Sequence, residues 1–168
     1  MSAPRTTYHV FIDASDTRLQ EKSSARLKDE DEDLPCKINF EGLLRAFESE
    51  SRVIDIAFLY GSPPPPNDRV WKSANDYQCN SENEVYMAMV TEIVWVASRL
   101  NYSPEAASEK EDAVFVIVSG SRNLIPAVRI VLEYGIPVEL WTWKANFSRK
   151  YIDLYQDYQS LLSIHVFD

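Results

Sequence analysis

The stretch from Ala113 to Trp143, AVFVIVSGSRNLIPAVRIVLEYGIPVELWTW, constrains the fold of this chain more than any other. Val114 to Val118 is an unbroken β-branched and aromatic run, the pattern of a strand covered on both faces. After Ser119 and Gly120 the pattern predicts a helix with Pro126 in its first turn, where a missing N–H costs nothing. Ile125, Val128, Val131 and Leu132 recur at helical spacing, and Gly135 stands where a left-handed C-cap is wanted. Ile136 to Trp143 then reads as a second buried strand. Strand, helix and strand make one βαβ unit of about thirty residues, so the two strands are expected to be parallel and joined by a right-handed crossover. In such sheets the chemistry sits just beyond the carboxyl ends of the strands. That directs attention to the loop from Ser119 to Asn123.

The rest of the chain repeats the alternation. Tyr8 to Ile12 reads as a first strand ending at Asp13. An acid at that position serves as a metal ligand, a helix cap or a turn former, and the residue alone does not choose among them. Residues 17–35 are charged and irregular, with five consecutive acids from Asp29 to Asp33, and are expected to form a flexible acidic loop. Asn39 can cap a short helix that carries Phe40, Leu43, Leu44 and Phe47 on one face. Ile54 to Tyr60 is the second strand, followed by a turn stiffened by Pro63 to Pro66 and a short helix at Trp71. Glu84 to Leu100 predicts a long helix, apolar nearly all round, which must therefore be covered within the domain or by a partner. Pro104 to Asp112 reads as a polar linker. Asn146 can cap a helix carrying Tyr151, Leu154, Tyr155, Tyr158 and Leu162, and Ser163 to Phe167 closes the chain as a last strand. Strands alternating with helices give an α/β, three-layer fold with a mostly parallel central sheet, expected as one domain over residues 1–168.

Composition narrows the function. With 168 residues, 45% of them hydrophobic, the chain can bury a sizeable core. A net charge of −9 makes it a poor general binder of phosphate backbones. Cys36 and Cys79 form neither a disulfide framework nor a metal knuckle, and with no leader or membrane-spanning run the expected location is intracellular, cytoplasmic or nuclear. His9 and His165 lie among apolar strand neighbours and are expected to be satisfied core or edge histidines. No nucleophile triad, phosphate-binding loop or dinucleotide glycine fingerprint is present.

Several segments, in order, carry a resemblance. Tyr8 to Asp16 (YHVFIDASD) resembles the opening strand of NYN domains, the PIN-like ribonuclease group that includes the limkain and meiosis-arrest-factor relatives. Tyr60 to Trp71 (YGSPPPPNDRVW) is similar to a Gly-Ser-x-Pro-Pro-Pro-Asn-Asp…Trp segment of fungal-type members. Val85 to Glu92 falls where the family has a Val-Asp-x-x-Leu-x-Thr-Asp helix. Val114 to Trp143 resembles its strand, Gly-Asp-x-Asp loop, Ile-Pro helix and Val-Glu-Val-Trp strand, and Phe147 to Arg149 its Ala-Ser-Arg helix start. The resemblance implies a PIN-like nuclease fold in which clustered carboxylates hold Mg²⁺ or Mn²⁺ to cut RNA. A hard dication needs several oxygen ligands to activate water and offset phosphate charge.

Matched position by position, little of that cluster is kept. Asp13 matches the first-strand acid, Asp16 stands where the family has Asn, and Glu92 replaces a later Asp. The helix acid is Tyr86, and the two loop acids are Ser121 and Asn123, with Arg122 between them. A guanidinium there opposes a dication by on the order of several kcal/mol, and Arg122 is expected to pair with Asp13 or Asp16 instead. The segment between Trp71 and Tyr86 looks short against the family, so a peripheral strand or loop is expected to be missing. The favoured reading is a pseudonuclease without cofactor, a scaffold or regulatory subunit in RNA processing that meets a protein partner or a second copy through helix 84–100. An active ribonuclease using Asp13, Asp16 and Glu92 with Mg²⁺ or Mn²⁺ is one alternative. A non-cleaving RNA binder is another, using Arg69, Lys72, Arg122, Lys144, Arg149 and Lys150 with Trp71 and Trp143 for stacking.

Overall fold

The structure, a computed structural model, describes residues 6–14, 47, 52–61, 75–78 and 82–167. In chain order its elements are β1 (Thr6–Asp13), β2 (Arg52–Gly61), β3 (Asn75–Gln78), α1 (Glu82–Tyr102), a 3-10 turn (Pro104–Ala106) and α2 (Ala107–Asp112). Then come β4 (Ala113–Val118), a 3-10 turn (Arg122–Leu124), α3 (Ile125–Glu133), β5 (Val138–Trp143), α4 (Lys150–Asp157) and β6 (Leu162–Phe167). The strands form one six-stranded sheet in the order β3-β2-β1-β4-β5-β6, and every pairing is parallel. This is a three-layer α/β fold of the doubly wound kind. Strand order reverses between β1 and β4, and the crevice outside the carboxyl ends of two such strands is where ligands bind in open sheets.

The two faces of the sheet have separate cores, as the two-residue period of strands requires. On one face Phe11, Phe58, Tyr60, Phe115, Ile117 and Leu140 pack under α1, α3 and α4. On the other, Tyr8, Val10, Ile12, Leu59, Val116 and Val118 lie with Phe47, which meets Trp141 edge-on at 5.1 Å. β4 is flanked by β1 and β5 and packed from both sides, which accounts for its unbroken apolar run. The βαβ unit forms as its sequence indicates. Pro126 lies in the first turn of α3, and Gly135 takes a φ of +75°. The Gly135 N–H donates to the Leu132 carbonyl and the Ile136 N–H to that of Val131, a Schellman cap.

Four elements depart from the sequence expectation, each for a physical reason. β3 occupies the segment from which a peripheral strand was expected to be missing. Its residues, Asn-Asp-Tyr-Gln, carry no β-branched side chain, and a strand at a sheet edge needs to pair on one side only. Pro104 to Asp112 is helical, not a linker. None of the α2 side chains is buried, so no apolar period marks it; Arg99–Glu109 at 3.0 Å and Lys110–Asn101 at 2.7 Å tie it to α1. Asn146 does not cap α4, whose N-cap is Arg149; the Asn146 N–H closes a turn onto the Trp143 carbonyl instead. Leu162 opens β6 and is not part of that helix.

Helix α1 is apolar in sequence but one-sided in burial. Val85, Met89, Ile93, Val96 and Leu100 are buried along one stripe, stepping by three or four residues. On the opposite stripe Met87 is 70% exposed and Trp95 60%. Of the two expected ways of covering this helix, burial within the domain accounts for one stripe only among the described residues. No helix among the described residues is long and apolar enough to cross a membrane. The acidic block Asp29 to Asp33, the proline turn, Trp71, Arg69, Lys72, Asp16 and both cysteines lie outside the described residues.

Candidate functional site at the carboxyl ends of β1 and β4

Where strand order reverses, β1 ends on Asp13 and β4 runs into Ser119. Both side chains are fully buried. The Ser119 hydroxyl donates to Asp13 Oδ2 at 3.1 Å and accepts from the Ser121 N–H at 3.3 Å. Ser121 Oγ in turn accepts from the Asn123 N–H at 3.3 Å, capping the 3-10 turn that leads into α3. The Ser121 carbonyl accepts from the buried Tyr151 hydroxyl at 3.0 Å. The loop after β4 is thus held from both sides, by Asp13 through Ser119 and by α4 through Tyr151.

Gly120 shows how closely the next loop approaches. A Cβ there would collide with the Thr142 hydroxyl and with the backbone carbonyl of Asn146. The Gly120 carbonyl also accepts from the Ser148 N–H at 3.1 Å. Only a residue without a side chain fits between these loops. Thr142 is buried and donates to the Trp143 carbonyl at 3.1 Å, so its oxygen is fixed in place.

The sequence-derived candidates separate on this frame. Asp13, Ser121, Arg122 and Asn123 are brought to one place; Asp16 and Trp71 lie outside the described residues. The expected pairing of Arg122 with Asp13 is not made: Arg122 is exposed, and the hydroxyl of Ser119 meets the carboxylate. Tyr86 is half-buried and packs against the α1–α3 core. Glu92 is half-buried on the same helix, six residues further on and therefore about 240° around its axis. Ser119, Gly120, Thr142 and Tyr151 were not singled out as site residues. Ser-Gly-Ser directly after a strand was the signal for the first two; for Thr142 and Tyr151, which act across loops, the sequence offers none.

The resemblance implies a divalent metal at these donors. The described residues at this end offer one carboxylate, already accepting from Ser119, together with neutral hydroxyl and amide groups. Among the described residues no group of three or more His, Cys, Asp or Glu is placed to hold a metal ion. A hard dication needs more anionic oxygen than this, so these residues do not fit it.

The electrostatics run the other way. Arg122, Lys144, Arg149 and Lys150 are all exposed on the two touching loops. Neither residues 119–124 nor residues 144–150 include an acid. In a chain of net charge −9, these two loops are locally cationic.

Of the histidines, His165 is satisfied: it lies 3.0 Å from Ser163 Oγ and stacks on Trp141 at 4.2 Å. His9 is not. It is buried with neither ring nitrogen hydrogen-bonded, which corrects the expectation for that residue.

No protein-family model, curated protein or solved structure matches this chain.

Proposed function

We propose that this protein is a catalytically silent PIN-like domain, a pseudonuclease that acts by binding, as a scaffold or interaction subunit in RNA processing. The observation that carries the reading is the state of Asp13. It is fully buried and accepts the Ser119 hydroxyl, while Ser121 and the Asn123 N–H are spent on capping the turn beyond it. These positions, where the resemblance calls for acids, serve loop structure. The exposed Met87 and Trp95 on α1 support a protein contact. Burying them would contribute roughly 1.5–3 kcal/mol each before the cost of association.

A second reading, RNA binding without cleavage, is favoured by one observation: four exposed cations and no acid on the touching loops at the carboxyl edge. Trp143 lies on the last residue of β5 beside Phe167, with ring centroids 4.7 Å apart.

The test is an RNA cleavage assay with Mg²⁺ and Mn²⁺, on single-stranded and structured substrates. No cleavage above background is expected, and Asp13→Asn should leave that result unchanged. Tyr86→Asp, Ser121→Asp and Asn123→Asp combined with Arg122→Ser should gain Mn²⁺ binding by calorimetry. Metal-dependent cleavage by the natural protein that disappears in Asp13→Asn would overturn the proposal and establish the ribonuclease.

A further inference from the structure

At the opposite end of the sheet lies a cavity of about 630 Å³ whose walls include His9, Asp55, Arg99, Glu109 and Asp112. That volume falls within the range of small-ligand sites. His9 forms part of it with a side chain only 2% exposed, and neither ring nitrogen has a hydrogen-bond partner. An imidazole so placed loses the two hydrogen bonds its ring nitrogens make to water and gains none, a cost that folded chains seldom leave uncompensated. Burial holds its pKa below the ordinary value, against the opposing pull of Asp55, so the ring is neutral and one nitrogen can accept.

The backbone is shaped to this arrangement. Tyr8 pairs with Ile54 but His9 pairs with Ile56, so Asp55 is the extra residue of a β-bulge. Ile54 packs on one face of the sheet and Ile56 on the other, the change of side that an inserted residue produces. The bulge brings Asp55 Oδ2 to 3.8 Å from His9 Nδ1. That separation is too long for a direct hydrogen bond. The His9 nitrogens are closed to solvent, so a nitrogen donor reaches Nδ1 only when the half-exposed Asp55 side chain swings outward, and it can then lie about 2.8 Å from both atoms.

The charge of the walls selects the donor. Asp55, Glu109 and Asp112 carry three negative charges, Arg99 one positive charge paired with Glu109 at 3.0 Å, and His9 none. Three minus one leaves a net charge of −2, which a dication neutralises. A metal ion does not suit the site, because among the described residues no three such ligands converge. We propose that this cavity binds an aliphatic diamine or polyamine, with one ammonium bridging His9 Nδ1 and Asp55 Oδ2 and the second charge held by Asp112 and Glu109. The site is independent of the carboxyl-edge reading, since the two lie at opposite ends of β1.

The experiment is calorimetry of the full chain with 1,4-diaminobutane at low salt and pH 7.5, alongside NMR of the His9 imidazole. Saturable binding of one diamine per chain is expected, with movement of the His9 ring resonances. Asp55→Asn, at an exposed bulge position, removes one charge-assisted contact and should weaken binding by about ten- to a hundredfold. Asp112→Asn should also weaken binding, and n-butylamine should bind about tenfold more weakly or worse, having one charge in place of two. Lack of saturation by about 10 mM diamine, near the weak end of specific binding, would overturn the proposal. So would equal affinity in Asp55→Asn, unmoved His9 resonances, or binding of a lysine-rich peptide without binding of the diamine.

Discussion

Replacing Gly120 by alanine adds one carbon where two loops already touch. That Cβ would overlap the Thr142 hydroxyl and the Asn146 carbonyl. Thr142 is fully buried and its hydroxyl is engaged with the Trp143 carbonyl; Asn146 presents backbone, which no rotamer change can move. Relief therefore requires the loop after β5 to withdraw from the loop after β4. Overpacking of this kind costs about 1–3 kcal/mol. Withdrawal also breaks the Ser148 N–H to Gly120 bond and the Tyr151 hydroxyl to Ser121 bond, at about 1 kcal/mol each. The expected loss is about 3–5 kcal/mol, read from urea unfolding as a lower midpoint with an unchanged slope. Gly135→Ala is the control. Nothing lies within 4 Å of a Cβ there and the strain comes only from its φ of +75°, worth about 1–2 kcal/mol. Adding Thr142→Ala to Gly120→Ala should recover part of the loss but not all, because the Asn146 carbonyl remains. If Gly120→Ala costs less than Gly135→Ala, or if Thr142→Ala restores it fully, the loops do not press together as described.

Two further outcomes follow from the burial pattern. Burial lowers the pKa of His9, so below about pH 6.5 the unfolded chain takes up a proton that the folded chain resists. Stability is therefore complete above that pH and falls as the solution is acidified; His9→Phe should flatten this part of a urea-midpoint-versus-pH curve, and an identical slope in the variant would contradict the account. On α1, Met89→Ala and Ile93→Ala empty fully buried sites and should cost about 2–5 kcal/mol, whereas Met87→Ala and Trp95→Ala should stay within about 0.5 kcal/mol in urea unfolding of the free protein.

What was legible in the sequence, and what was not, divides along the reach of the interactions. The βαβ unit from Ala113 to Trp143 could be read because its determinants are local: a β-branched run, Pro126 at a helix start and Gly135 at a left-handed cap. Its boundaries held to within a residue or two. β3 and α2 could not be read because neither shows a sufficient apolar pattern, and each is held by a neighbour, β2 in one case and α1 in the other. The exposed side of α1 was obscured for the opposite reason. Met, Val and Trp on all sides of a helix state that it is greasy, but not which third of it faces the sheet. At the carboxyl edge, Asp13 and the Ser119–Asn123 loop were identifiable from strand ends alone. Arg122 was assigned to Asp13 or Asp16 by charge; at Asp13 it is Ser119, adjacent to the same strand end, that supplies a donor, and Asp16 lies outside the described residues. A short hydroxyl on a buried strand terminus reaches its neighbour with almost no loss of side-chain freedom, while a long guanidinium must give up both hydration and rotamers to do so.

Among the described residues the two ends of the sheet carry opposite local charge, and the parallel topology makes that arrangement consequential. A helix that returns the chain from one parallel strand to the next runs against the strands, so its N-terminus lies at their carboxyl ends. The partial positive charge of α3 and α4 thus falls on the same edge as Arg122, Lys144, Arg149 and Lys150. Dipoles and side chains act in one direction there. At the amino edge the carboxylates of Asp55, Glu109 and Asp112 outnumber Arg99 around a neutral histidine, and helix C-termini add to the negative potential. Net charge alone, at −9, describes a protein that repels anions. Among the described residues its distribution is uneven, with cations on two loops of the carboxyl edge and carboxylates at the amino edge, and a field of that kind survives screening only within roughly 8–10 Å of the surface. Any anion attracted to the carboxyl edge would therefore be guided only over its last approach. It would meet the two cationic loops beside a buried, hydrogen-bonded Asp13.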